Sequence, residues 1–364
     1  MKLRSIVVLA GLLLAISSRA SELEHDVLVF GSAELFESSG FDAPVSDDFH
    51  HVFVDDQLVA ADIIFSLQKG RFRVFGEHLL TNHESDLERF QIGWEPTEDT
   101  VIWLGRFHQA SSVWNHEHHH GQFLQTSITR PAIEEWEDQD GVLPQHFSGM
   151  LVESSWHLAG NRGLRTAIGG GLAPLLTRDG LKPFDLTHPD TSKFQLGFQA
   201  RIGFLPDELE DSSFGLMLAH NELNWDATPP PQFVNVTHFD QIVIGAFGNL
   251  SRDPWHVNGA VYFVDTNPVA AGAADHYTGF TSGYLQVERN LSQGIVLFGR
   301  HENTLHAANV PYLTLFPNFV ARRTVLGVRW EFHRRQAVTL QVAESHSLLD
   351  GYSEFRLQWS GALF

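Results

Sequence analysis

The chain has no cysteine among its 364 residues. That excludes disulfides, thiol nucleophiles and thiolate metal centres. Charged side chains are scarce, at 19%, where a soluble domain usually carries about a quarter. Basic residues are scarcer still: 24 Lys and Arg against 44 Asp and Glu give a net charge of -20. Such a surface repels phosphate backbones, so nucleic acid is not an expected partner. Beyond the first twenty residues no run of about eighteen apolar residues occurs, so no spanning helix is predicted there. Hydrolase elbows, phosphate loops and His-Glu-x-x-His helices are also missing, and the chain reads as a non-enzyme. Gly169-Gly170-Gly171 falls inside a strand pattern, where it marks a close approach or a bend.

What the chain has instead is hydrophobic content (43%), Phe (28) and His (21). Its start reads as an export signal. Lys2 and Arg4 precede the apolar run Ile6 to Ile16, and Ser18-Arg19-Ala20 fits a small-x-small cleavage site. The expected division is a signal peptide over residues 1–20 and a single domain over residues 21–364.

Period-two alternation dominates the rest. Phe194, Leu196, Phe198, Ala200, Ile202 and Phe204 alternate with Gln195, Gly197, Gln199, Arg201 and Gly203. Similar runs surround Trp255, Thr324 and Phe355. These strands span about ten residues, beyond the five or six of an ordinary strand and matching the nine to eleven of a tilted membrane-spanning one. Lipid offers the backbone no hydrogen bonds, so spanning strands must close into a barrel. The reading is all-β: a transmembrane antiparallel β-barrel of about sixteen strands, with fourteen as the alternative. Strands are predicted to begin near Val27, Val59, Arg71, Leu87, Val101, Phe147, Leu164, Phe194, Phe214, Phe239, Trp255, Tyr277, Ile295, Val320, Val338 and Phe355. Connections after even-numbered strands are short. Those after odd-numbered strands are usually long, as periplasmic turns and outer loops are; Thr81 to Ser85 is an exception. The longest, His108 to His146, follows the fifth strand. Trp94, Trp103, Trp156, Trp330 and Trp359 fall near strand ends, where interfacial belts form.

This pattern resembles the Gram-negative outer-membrane porins across residues 21–364, in architecture. The matching features are the strand number, the terminal Phe364 and the long segment after strand five. The resemblance implies that this segment folds into the lumen and narrows it. It implies further an outer-membrane lipid environment, handling by the barrel-assembly machinery, a homotrimer, and passage of small hydrophilic solutes or ions without any required cofactor. Phe355, Leu357, Trp359 and Leu363 are out of phase with Phe364, which points to a bulge at Gly361.

Two constellations are candidates for selectivity. Parity turns Arg73, Arg106, Arg165, Arg201, Arg300, Arg323, Arg329 and Arg356 inward, with Glu77, Glu153 and Glu331 among them. In many porins such arginines face acids on the inserted loop, and the resemblance implies Glu134, Glu135, Glu137, Asp138 and Asp140 as that acidic wall. The alternative is that these charges pair locally and keep the interior wet. The second constellation is His116, His118, His119 and His120, within a segment holding six of the 21 histidines. Imidazoles with carboxylates suit Zn²⁺ or another divalent metal, so they either bind metal at the pore mouth or line the lumen. The leading function is a water-filled channel for passive diffusion. One alternative is a pore specialised for divalent metals or their complexes. Another is a soluble secreted β-protein with a metal site. Net charge favours cations, although the inward arginines can reverse that at the narrowest point.

Overall fold

Alternation over long runs gives each strand one face for lipid and one for the interior, and sixteen strands close on themselves. The computed structural model describes residues 23–39, 55–83, 85–118, 122–137, 140–178, 180–186, 193–270, 278–291 and 294–363. The signal peptide proposed for residues 1–20 lies outside them. The barrel strands are β1 (Glu24–Ser39), β2 (Asp55–Lys69), β3 (Phe72–Thr81), β4 (Ser85–Thr97), β5 (Thr100–His108), β6 (His146–Leu158), β7 (Arg162–Leu172) and β8 (Leu196–Leu205). They continue as β9 (Ser213–Asn224), β10 (Val236–Arg252), β11 (Trp255–Ala270), β12 (Gly279–Asn290), β13 (Ile295–Leu305), β14 (Val320–His333), β15 (Gln336–Ser347) and β16 (Gly351–Ala362). Each pairs antiparallel with its sequence neighbour, and β1 closes the barrel on β16. Fourteen strands are excluded: thirteen of the predicted starts fall within their own strands, Arg71 and Phe194 lie one and two residues before β3 and β8, and Tyr277 lies outside the described residues.

The outer face is a band of exposed apolar side chains. Leu216 and Leu218 on β9, Ile242 and Ile244 on β10, and Leu326 and Trp330 on β14 belong to it. Between them, pointing inward, sit Asn221, Gln241 and Arg329, all buried. Burying polar groups inside while apolar groups face outward inverts the soluble pattern and suits a bilayer. Trp94, Trp156 and Trp330 are exposed outward. Trp103 departs from its expected place in the aromatic belt: it points inward, is buried, and donates its indole N–H to Glu153 at 2.9 Å. The bulge expected at Gly361 is also absent. Gly361 pairs in continuous register with Gly31 on one side and Gln336 on the other. A bulge does occur in β4, where pairing jumps between Glu77–Arg89 and His78–Leu87. The extra residue lets both Glu88 and Arg89 turn inward, which strict alternation forbids.

Short turns join even to odd strands, as at Gly70 and Gly160, both with positive φ, a conformation glycine adopts without strain. Two connections at the opposite end turn back inside. Residues 109–145 carry α1 (Val113–His118) and a 3-10 turn, Ala132–Glu134. Residues 306–319 carry two further 3-10 turns and bury Tyr312, Leu313, Leu315, Phe316 and Phe319. These two segments share one apolar cluster with inward residues of β9 to β12, including Phe239, Tyr262 and Phe280.

Candidate functional site: the inserted segment and the lumen wall

The inserted segment is held by a hub, by straps and by an apolar face. The hub is Asn115 on α1, with 0% exposure. Its amide donates to the Glu134 carbonyl at 2.8 Å and to Gln145 Oε1 at 2.7 Å, and its oxygen accepts from Arg130 at 2.7 Å. His108 Nδ1 lies 3.1 Å from the Asn115 carbonyl. Asn115 thus ties the helix and both arms of the loop through its side chain, and the end of β5 through its backbone carbonyl. A buried polar group is tolerated where its bonds are made, and here they are.

The straps come from the wall. Arg300, the largest fully buried side chain, donates to Glu302 (2.9 Å), Ser127 Oγ (2.8 Å), the Thr129 carbonyl (2.8 Å), Thr129 Oγ1 (2.9 Å) and the Arg130 carbonyl (3.0 Å). Arg323 donates to Glu302 at 2.8 Å and to the Arg130 carbonyl. Arg329 reaches the Gln125 and Phe123 carbonyls at 2.8 and 2.9 Å, and Glu331 at 3.0 Å. Glu302 in turn accepts the Ala132 N–H at 2.6 Å. Guanidinium forks suit such multidentate work, because five donors lie in one plane. Arg300, Arg323 and Arg329 therefore hold backbone. Arg73 pairs with Glu95 at 2.6 Å, and Arg106 is buried in the wall.

The acidic residues of the segment are also engaged. Glu134 accepts from the hydroxyls of Ser112 and Tyr262. Burial pushes its carboxyl above the ordinary range, against the lowering effect of those two bonds. Glu135 lies 3.5 Å from Arg130 Nε. Burial raises its carboxyl too, despite that cation. Glu137 accepts the backbone N–H groups of Gln145 and His146 at 2.6 and 2.7 Å, and sits 2.9 Å from His146 Nδ1. Burial there would raise it, but the His146 charge and these bonds hold it below the usual value. Asp140 has positive φ and is pushed up to about 6 by burial, against a bond from Asn318. Asp138 lies outside the described residues. Beside this acid row is a second one, formed by Glu77, which parity turns inward, and Glu88, which it does not; both are buried and pair with Arg89 and with His146 (3.0 Å) respectively.

Of the four histidines, His119 and His120 lie outside the described residues. His116 and His118 belong to α1. The His118 ring packs edge-on to Trp114 at 4.7 Å, and burial lowers its pKa to about 4.

The structure also marks a residue that the acidic cluster drew attention away from. Glu117, near the end of α1, reaches solvent inside the lumen. It lies within electrostatic reach of Arg201, His256 and Arg165. Enclosure by the walls raises its carboxyl, against lowering by those three cations. Arg201 feels Glu153, Glu117 and Glu134 in return, and Arg165 is solvent-exposed. The signal was available in sequence, since Glu117 sits among the histidines, but parity cannot say which loop residue meets which wall residue.

No family model and no curated protein matches this sequence. Solved structures do match its fold. The outer membrane channel DcaP of Acinetobacter baumannii aligns with a TM-score of 0.59 at 8% identity, covering 95% of this chain and 99% of that one. Salmonella typhi OmpF aligns at 0.54 and 10% identity, covering 93% and 98%. Pseudomonas putida OprB aligns at 0.53 and 8% identity, covering 93% and 94%. The fold is that of outer-membrane porins.

Proposed function

We propose that the protein is a non-enzymatic outer-membrane channel for passive diffusion of small hydrophilic solutes and ions. The observation that carries this reading is Glu117. It is an acid on an inserted, wall-anchored helix, placed opposite Arg165 and Arg201 where solvent still reaches. Opposed charges across a narrowed lumen give a transverse field that orients polar solutes and sorts ions by sign. The apolar outer band supports an outer-membrane location, and the similarity in fold to the outer membrane channel DcaP supports the transport role. No resident cofactor is invoked. Residues 1–20 serve as a cleaved export signal and residues 21–364 as the barrel, delivered by the assembly machinery. Homotrimer formation is carried over from the porin resemblance. In this reading Arg73 and Arg106 lie along the same wall as the field-forming arginines. Arg300, Arg323 and Arg329 set the position of the segment carrying the acids.

The test is single-channel recording of the purified protein in a planar bilayer under a salt gradient. Stable conductance steps are expected, with a reversal potential that moves toward anion preference in Glu117→Gln. Folded, membrane-inserted protein without conductance would overturn the channel. A zinc-blocked conductance restored by substituting His116, His118, His119 and His120 would favour the metal-specialised pore instead.

A further inference from the structure

The register of β9, β10 and β11 brings a second set of chemistry-bearing residues together, on the outside of the barrel. Glu222 pairs directly opposite Asp240, and Asn224 opposite His238. Leu216, Leu218, Ile242 and Ile244 share their outward face and are lipid-exposed, so the polar set begins just above the apolar band on two neighbouring strands. One ligand atom each from Glu222, His238 and Asp240 lies within 4.8 Å of the others. His220, on the same face, places Nε2 4.0 Å from Asp240 Oδ1, and His238 Nε2 lies 3.7 Å from it. Like charges directly opposite across a strand pair are destabilising unless a cation intervenes.

The His238 ring supplies an independent observation. Thr237 is the extra residue of a bulge in β10. Its hydroxyl has one proton and donates it to the Val269 carbonyl at 3.0 Å. The contact of 3.0 Å between that hydroxyl and His238 Nδ1 must therefore be donated by the ring. With Nδ1 carrying its proton, a neutral ring turns the Nε2 lone pair toward the two carboxylates. Lone pairs facing carboxylates call for positive charge between them, which a proton on Nε2 or a divalent ion supplies. A ring whose Nδ1–H is fixed by an oxygen, with Nε2 presented, is the arrangement in which histidine ligates metals. On β11 the Asp265 Oδ1 and Asn267 Oδ1 atoms are shielded from solvent and accept no hydrogen bond; Asn267 pairs with Asp240 in the ladder.

We propose that Glu222, His238 and Asp240 form a divalent transition-metal site on the outer rim of the barrel, separate from the lumen. Two carboxylates and one imidazole suit a borderline ion such as Zn²⁺ or Co²⁺ better than Ca²⁺ or Mg²⁺, which take oxygen ligands. Three protein ligands leave positions open to solvent or to an anionic group outside the barrel. Thr237 is a positioning residue, holding the ring from behind.

The experiment uses the full protein, folded in detergent and stripped with EDTA, titrated with Co²⁺ and then Zn²⁺ and followed by visible d–d absorption. A Co²⁺ spectrum bleached by Zn²⁺ is expected, and it persists when His116, His118, His119 and His120 are all replaced by alanine. Glu222→Gln with Asp240→Asn, shown to be folded by heat-dependent gel mobility, is expected to abolish it. Thr237→Val is expected to weaken binding about tenfold, the scale on which residues behind a ligand act. A spectrum that survives Glu222→Gln with Asp240→Asn, or that disappears with the loop histidines, overturns the site. So does the absence of any Co²⁺ or Zn²⁺ binding at millimolar concentration.

Discussion

The inserted segment has two sides, and they are held by different physics. Toward β13 and β14, residues 123–130 meet the wall through guanidinium forks, each bond directional and aimed at a particular carbonyl. Toward β9 to β12, Trp114, Ile133, Val142 and Leu143 pack into a cluster with Tyr262, Phe239, Tyr312 and Phe316. Apolar packing is non-directional and tolerates small shifts as long as volume is kept. The arginine side therefore fixes where the segment sits, and the apolar side packs it against that half of the wall. In the channel proposed above, solutes pass on the other side, by Glu117, Arg165 and Arg201.

The largest effect expected follows from Arg300→Ala. It removes a cation with a fully buried side chain and leaves Glu302 with Arg323 as its remaining guanidinium beside the Ala132 N–H. Breaking a buried pair on one side costs about 3–5 kcal/mol. Urea-dependent unfolding measured in detergent should show that loss, and channel recordings should show noisier, larger steps as residues 123–130 leave the wall. Leu313→Ala probes the opposite side. The Leu313 side chain is wholly enclosed, and truncation should cost about 2–3 kcal/mol through lost burial and a cavity, while conductance stays near the parent value. If Leu313→Ala also enlarged the steps, the division between positioning and packing would fail.

Glu117→Gln comes next. It takes one charge from a solvent-reached position. A two- to fivefold drop in the cation-to-anion permeability ratio is expected, roughly the scale of one charge acting over several ångström through water. Reversal potentials in a salt gradient report it directly. Neutralising Glu134 in the same way should leave selectivity nearly unchanged, because Ser112 and Tyr262 already occupy both its oxygens.

These contrasts also mark what was readable without coordinates. The sixteen strands were legible because lipid imposes a period of two over lengths that soluble sheets do not need. Predicted starts such as Trp255, Ile295 and Val320 coincide with the observed ones. The lumen was less legible. Parity put Arg300 and Arg329 inward but said nothing of their height, so their bonds to the 123–130 backbone could not be read. The β4 bulge that brings Glu88 to His146 breaks the very alternation on which the reading rested. The apolar face of residues 306–319 looks, in sequence, like any loop containing Tyr, Leu and Phe; its burial depends on inward Phe239 and Tyr262 from distant strands. The rim triad was hidden for a simpler reason: Glu222 and Asp240 meet only once the hairpin register is known.

The smallest effect lies where the two inserted segments touch. Asp140 meets Asn318, and burial lifts its carboxyl from an ordinary 3.8 to about 6. The unfolded chain loses this proton near its ordinary value, while the folded chain keeps it until about 6. Stability contributed here is therefore highest at acidic pH and falls as pH rises through that window, because the folded state binds more protons. Lowering pH from 7 to 5 should relieve the buried charge at residue 140 and reduce spontaneous flicker in channel recordings. Asp140→Asn removes the titration while keeping a side chain that tolerates the positive φ at this position. Its flicker should match that of the parent at pH 5 and stay constant between pH 5 and 7. A parent channel whose flicker is flat over the same range would mean that the contact between the two segments does not gate the lumen.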